Sequence, residues 1–113
     1  MSAKIRLTDY QLEIVNKMCW DKVTHIRYSP WYDTYWLYLY PNTPVDVGTV
    51  RSLLQKNVIK LECLLLLRYK SYTSLRITDE LLMQLSLGLI PKDYVYVYTL
   101  TKEYENIKYW DIV

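Results

Sequence analysis

The spacing of apolar residues along this chain alternates between the three-to-four-residue repeat of a helix and the two-residue alternation of a strand. Residues 7–20, 46–57 and 78–87 follow the helical repeat. Residues 22–40, 59–78 and 94–100 are rich in β-branched and aromatic residues, which favour strands. The sequence therefore predicts an α+β fold in the order α-β-β-α-β-β-α, followed by a C-terminal strand and a tail.

Capping residues indicate where the first two helices begin and end. Thr8, followed three residues later by Gln11, is the pattern of a capping box. The second helix begins at Asp46 as its N-cap or, as the alternative, at Thr43 with Pro44 in its first turn. Asn57 tolerates left-handed backbone and is placed to end that helix.

The segment 22–40 predicts a β-hairpin with a longer loop, and its second strand has two aromatic-rich faces. Side chains alternate along a strand, which divides these residues into two sets. One face carries Tyr35, Leu37 and Leu39, and the other carries Trp36, Tyr38 and Tyr40. Residues 41–44 read PNTP, which predicts a turn that ends the strand. We expect one face to be buried and the other to meet a partner or water.

The length of 113 residues is that of one domain, and 51% hydrophobic with 23% charged residues is typical of a globular chain. The chain has 13 tyrosines and 4 tryptophans but no phenylalanine. Such rings carry a polar group and suit half-buried surfaces and interfaces. We predict a single domain over residues 1–113, with a core at 7–87 and a C-terminal extension at 88–113 that is a candidate for dimerisation.

The charge is uneven although its total is only +2. Residues 45–78 carry six basic and two acidic side chains, whereas residues 79–113 carry three basic and six acidic ones. The middle third is therefore a basic block beside an acidic tail. The tail either repels nucleic acid from one end of the molecule or forms a solvated surface.

Residue patterns for catalysis, metal binding and phosphate binding are missing from the sequence. Cys19 and Cys63 lie far apart without a second Cys or His at ligand spacing, so we predict reduced, buried thiols and no zinc site. The single histidine, His25, lies in a predicted strand, and two glycines cannot build a phosphate-cradling loop. We predict no enzymatic activity, no cofactor and no metal.

Targeting and membrane signals are also missing. The N-terminal residues turn polar before an apolar run of signal-peptide length, and the longest aliphatic run, Leu64–Leu67, is far too short to span a bilayer. We expect no membrane association and a cytoplasmic location, in the host cytoplasm if the protein is viral.

Three strings resemble the winged helix-turn-helix family: LTDYQLEIVNKM at 7–18, TVRSLLQKNVI at 49–59 and LRITDELL at 75–82. In that family an "LT..Q..I...M" helix precedes a "TV..LL..GLI" helix, a β-hairpin wing and a last helix that starts with "L-T". The resemblance covers residues 7–87 and is closest to small phage and plasmid variants with a strand pair between the first two helices. It implies a small non-enzymatic protein that binds double-stranded DNA as a homodimer and regulates transcription.

The family's roles, carried onto this sequence, imply that the second helix faces the major groove and that the second hairpin lies on phosphates. The groove-facing residues would be Thr49, Arg51, Ser52, Gln55 and Lys56, and the hairpin residues would be Arg68, Lys70, Tyr72 and Arg76. The strand 94–100 or the tail to Trp110 would form the dimer surface. The same polar residues also fit an ordinary exposed helix face and a solvated hairpin.

A second hypothesis is a protein-interaction module of a virus or mobile element, such as an inhibitor of a host defence complex. Its interface would consist of the rings of the first hairpin, which are Trp31, Tyr32, Trp36, Tyr38 and Tyr40. Rings of this kind are typical anchors of protein interfaces. The alternative role for these rings is packing over the core.

Overall fold

The structure is a computed structural model that describes residues 7–20, 24–38, 40–68, 71–89 and 93–102. Within these residues, three helices and six strands form a mixed α+β fold, as predicted. In chain order they are α1 (Asp9–Trp20), β1 (Ile26–Ser29), β2 (Thr34–Leu37), β3 (Tyr40–Val45), α2 (Val47–Gln55), β4 (Ile59–Arg68), β5 (Ser71–Arg76), α3 (Asp79–Ser86) and β6 (Tyr94–Leu100).

The element order differs from the predicted one by a strand, because the predicted turn at residues 41–44 lies within β3. Among the strands that the structure describes, β3 is the outermost in the sheet and pairs with β2 alone, with Pro44 opposite Trp36. Proline lacks a backbone N–H and is tolerated in a strand that has one free edge. The turn itself comes earlier, at Tyr38, next to a register shift between Trp36 and Leu37.

The six strands form one antiparallel sheet in the order β3-β2-β1-β6-β4-β5. β6 lies in the interior of this sheet and joins the two hairpins, because it pairs with β1 on one side and with β4 on the other. Residues 94–100 were predicted to be part of a C-terminal extension and a candidate dimer surface. Over Tyr96–Tyr98 both backbone edges of this strand are paired within the chain, so this stretch cannot add a strand from a second copy.

The main core lies between α1, α2 and one face of the sheet. We call the sheet face that carries Ile26, Leu37 and Tyr98 the core face, and the opposite one the outer face. Cys19 and Cys63 are half-buried free thiols, less buried than predicted. The buried residues of the main core are Ile14, Val15, Met18, Ile26, Leu37, Val45, Val50, Leu53, Val58, Ile59, Tyr98 and Leu100.

The predicted helix caps are present. The backbone N–H of Thr8 donates to Gln11 Oε1 at 3.0 Å, and the N–H of Gln11 donates back to Thr8 Oγ1 at 3.2 Å. Asp46 Oδ2 accepts from the backbone N–H groups of Gly48 and Thr49 at 3.0 and 3.3 Å, which selects Asp46 over Thr43 as the N-cap of α2. Asn57 has a left-handed backbone with φ 57°, as expected just beyond the end of that helix.

Candidate functional site

The described side chains of β2 divide between the two faces of the sheet as predicted, but this strand ends at Leu37, before the predicted end at Tyr40, and Leu39 lies outside the described residues. Leu37 is fully buried in the core and Tyr35 packs against it, whereas Trp36 projects from the outer face. Tyr38 follows β2 on the outer side, where its ring meets His25 and Arg27. The Tyr40 side chain lies outside the described part of the chain.

A row of directly paired residues crosses the outer face. Trp36 is opposite Pro44 in the β2–β3 ladder and opposite Arg27 in the β1–β2 ladder. Adjacent strands are about 4.8 Å apart, so the row from Pro44 to Arg27 spans roughly 10 Å. The ladders continue the row through Val97 and Cys63 to Arg76 on the far edge.

An open depression of about 390 Å³ lies at the Pro44 end of this row. It is lined by Tyr32, Thr34, Trp36 and Pro44, a largely apolar set. Beside it, Trp31 and Tyr32 in the β1–β2 loop are 70% and 76% exposed, which is unusual for rings of this size.

The loop that carries these two rings is held by short-range hydrogen bonds. Tyr28 Oη donates to Asp33 Oδ1 at 2.7 Å, and Thr34 Oγ1 donates to the Tyr32 carbonyl at 2.9 Å. Asp33 has φ 50°, a left-handed conformation that aspartate tolerates better than most residues. The exposure of Trp31 and Tyr32 is therefore built into an ordered turn.

Arg27, two strands from Pro44 along this row, is held in place by its neighbours. Its Nε donates to His25 Nε2 at 2.9 Å, and its guanidinium carbon lies 4.0 Å from the centre of the Tyr38 ring. The His25 and Tyr38 rings stack with centroids 4.7 Å apart and an interplanar angle of 20°. The terminal nitrogens of Arg27 remain the part of the side chain that can meet a ligand.

We use the name aromatic surface for this contiguous set on the outer face and its adjoining loop. Sequence reasoning identified the rings but missed the residues between them. His25 and Arg27 were detectable in principle, because a hairpin closed by Ser29 and Thr34 puts them opposite Tyr38 and Trp36. The members of the aromatic surface are His25, Arg27, Trp31, Tyr32, Thr34, Trp36, Tyr38 and Pro44.

The predicted groove-facing residues of α2 are exposed to different degrees. Arg51 and Gln55 are exposed, and Thr49 and Ser52 are half-buried. Lys56 is half-buried just past the helix end, where its Nζ donates to Gln11 Oε1 at 3.1 Å. The free polar surface of α2 is thus centred on Arg51 and Gln55.

The second hairpin, β4–β5, was predicted to be the wing, and its described residues do not share a surface with α2. Arg76 is paired with Cys63 on the outer face, whereas α2 packs on the core face. The side chains of Arg68 and Tyr72 and the whole of Lys70 lie outside the described residues.

A tyrosine cluster on the core face had no counterpart in the sequence predictions. Tyr28 lies between Tyr35 and Tyr96, with ring centroids 4.3 and 5.6 Å away, and Tyr35 lies 6.2 Å from Tyr98. The hydrogen bond to Asp33 and burial raise the pKa of Tyr28 to about 12. Burial also raises the pKa of Tyr98 above its ordinary value. The Tyr28 hydroxyl is therefore protonated at neutral pH, where it donates its hydrogen bond to Asp33.

Among the described residues, no cluster of three or more His, Cys, Asp or Glu side chains could bind a metal ion. In the same part of the chain, no helix has the length and apolar character needed to cross a bilayer. No protein-family model matches the chain, and neither a curated protein nor a solved structure matches it. The winged-helix assignment stays a prediction.

Proposed function

We propose that this chain is a non-enzymatic interaction module that binds a partner protein through the aromatic surface. The observation that carries the proposal is the exposure of Trp31 and Tyr32, at 70% and 76%, in an ordered loop beside the depression. Leaving large rings in water is unfavourable for an isolated chain, and Trp, Tyr and Arg are the residues most enriched at the centres of protein interfaces.

The setting we propose is a protein of a virus or mobile element that acts in the host cytoplasm on a host protein complex. In such a role the chain needs binding energy and no chemistry of its own. The combination of exposed rings with one fixed arginine supports this role.

The test is affinity capture with a photo-crosslinking residue in place of Tyr32, which is exposed enough to accept it. We expect a defined set of crosslinked partners that disappears when Trp31→Ala or Trp36→Ala is added. The matched control is Leu89→Ala, a residue that is 65% exposed and outside the aromatic surface. Partner capture that is unchanged in folded Trp31→Ala and Trp36→Ala variants contradicts the proposal.

A second candidate function is the recognition of double-stranded DNA by α2, as a homodimeric winged-helix-like regulator. It is favoured by the exposure of Arg51 and Gln55 on a helix that has no acidic residue in its first turn. Arginine pairs with guanine and glutamine with adenine in the major groove.

Titration against random duplex DNA at roughly 50 and 200 mM salt tests this second function, because phosphate contacts make affinity fall steeply with salt. We expect Arg51→Glu to abolish any such binding. The absence of binding at the lower salt concentration, or binding that Arg51→Glu leaves intact, eliminates α2 as a DNA-reading helix.

A further inference from the structure

We propose that the aromatic surface takes an extended, proline-containing segment of its partner, with a carboxylate about three residues from the proline. The inference rests on the proposed interaction function and names the chemistry of the partner. It is carried by the alignment of the depression and Arg27 along one row of the sheet.

The depression suits a proline ring. Its lining contains the rings of Tyr32, Trp36 and Pro44, and its volume of about 390 Å³ is at the small end of ligand pockets. Grooves lined by aromatic side chains bind proline-rich segments, because the polyproline II conformation is preformed and loses little entropy on binding. Recognition here is by side-chain packing in an open groove.

The nearby sheet edge argues against the other common mode of binding an extended segment. β3 forms that edge and contains Pro41 and Pro44, which remove two backbone donors from a strand of six residues. Residues three apart in a regular strand direct their N–H positions to opposite edges, so one of the two prolines removes a donor from the free edge, and proline in an edge strand disfavours the addition of a further strand. We therefore expect the segment to lie across the outer face and not to extend the sheet.

Arg27 is the reason why we expect a carboxylate in the partner segment. Within the described chain Arg27 forms no ion pair. None of the other described residues of its row carries a carboxylate; they are Pro44, Trp36, Val97, Cys63 and Arg76. The Nε of Arg27 donates to His25 and its guanidinium carbon lies over the Tyr38 ring, so two contacts fix the position of the terminal nitrogens. A planar guanidinium held in this way matches a carboxylate, which can accept two parallel hydrogen bonds.

The number of residues between the proline and the carboxylate follows from the distance between strands of the sheet. Pro44 and Arg27 are separated by two strand spacings, roughly 10 Å. A polyproline II segment rises about 3.1 Å per residue, so about three residues cover this distance. Either chain direction satisfies the spacing, which gives Pro-x-x-Glu or Glu-x-x-Pro.

The experiment measures the binding of the whole chain to fluorescein-labelled twelve-residue peptides by fluorescence polarisation. Two parent peptides carry Pro-x-x-Glu and Glu-x-x-Pro in an otherwise Gly/Ser/Ala background, and each has a Pro→Ala and a Glu→Lys derivative. We expect at least one parent to bind, with about fivefold weaker binding after Pro→Ala and about tenfold weaker binding after Glu→Lys. Because these changes are made in the peptide, they cannot disturb the fold of the protein.

Variants of the protein then locate the site. Arg27→Met should weaken the binding of the parent peptide about tenfold, and the variant should no longer prefer the parent peptide over its Glu→Lys derivative. Arg27→Glu should reverse that preference. Lys102→Met removes one positive charge at an exposed position away from the aromatic surface and should change nothing.

Two results overturn the inference. One is a parent peptide that binds no better than its Pro→Ala and Glu→Lys derivatives. The other is the failure of both parents to bind at millimolar concentration while Trp36-dependent capture of a partner protein is retained, which leaves the interaction function standing. Loss of peptide binding together with absent partner capture counts against both proposals.

Discussion

Trp36 and Arg27 lie directly opposite each other in the β1–β2 ladder, on the sheet face turned away from α1 and α2. The neighbours of Trp36 along β2, Tyr35 and Leu37, point the other way and contribute to the core side. A single strand therefore separates a structural set of side chains from a set that is available for binding. This separation allows the two roles to be tested by adjacent substitutions.

Leu37→Ala should mainly reduce the stability of the fold, whereas Trp36→Ala should mainly reduce the binding of a partner. Leu37 is 0% exposed, and a buried Leu→Ala change costs about 2–5 kcal/mol through lost burial and the cavity left behind. Trp36 is half-buried at the rim of an open depression, so its replacement should cost less in unfolding free energy. Urea unfolding monitored by circular dichroism measures the free energy of unfolding of both variants. Equal destabilisation by the two substitutions would assign Trp36 to the core.

The side chains that share a face in the first hairpin could be predicted, because alternation along a strand is a local property. The position of β6 could not, because the pairing of β6 with β1 and with β4 joins residues that are far apart in sequence. The strand at Pro41–Pro44 was missed for a related reason. Proline ends most strands and is tolerated at an edge, and only the assembled sheet shows that β3 is an edge.

The candidate site was predictable only in its rings. Trp31, Tyr32 and Trp36 stand out in the sequence, and the structure brings Tyr32 and Trp36 to one depression. The role of Arg27 depends on its contacts with His25 and Tyr38, which require the register between two strands. On α2 the sequence correctly predicted the exposure of Arg51 and Gln55, whereas Thr49, Ser52 and Lys56 are half-buried. The location of Arg76 on the other face of the sheet depends on a register shift in β4 between Leu61 and Cys63.

Asp46→Ala should destabilise the chain by about 0.5–2 kcal/mol, because it removes the acceptor for the backbone N–H groups of Gly48 and Thr49. Asp46→Asn keeps a side-chain oxygen at the same place and is the matched control. Thermal unfolding of the two variants should therefore differ, with the Asn variant closer to the parent. Similar losses in both would point to the charge and not to the cap.

Asn57→Gly should leave the chain as stable as the parent or slightly more stable, since glycine adopts φ 57° without steric cost. Asn57→Val should be destabilised by about 1–2 kcal/mol, because a β-branched residue is strained in the left-handed region. The comparison of urea midpoints measures the difference. A stable Val variant would mean that the backbone turn at the end of α2 rearranges.

Alkaline pH should destabilise the fold through the tyrosine cluster. An unfolded tyrosine titrates near pH 10, whereas the bond to Asp33 and burial raise the pKa of Tyr28 to about 12 in the folded chain. The folded state therefore holds its proton more tightly. The resulting stabilisation is fully present below about pH 10 and is lost as the pH rises towards 12.

Urea unfolding at a series of pH values from 8 to about 12, with tyrosinate absorbance recorded in parallel, measures this dependence. Asp33→Asn is the matched control, because asparagine also tolerates the left-handed backbone at this position but lacks the charge. It should lower the pKa of Tyr28 towards its ordinary value and flatten the alkaline decline. Tyr28→Phe should flatten it as well. A decline that persists unchanged in both variants would assign the alkaline sensitivity to other groups, of which Tyr98 is the first candidate because burial raises its pKa.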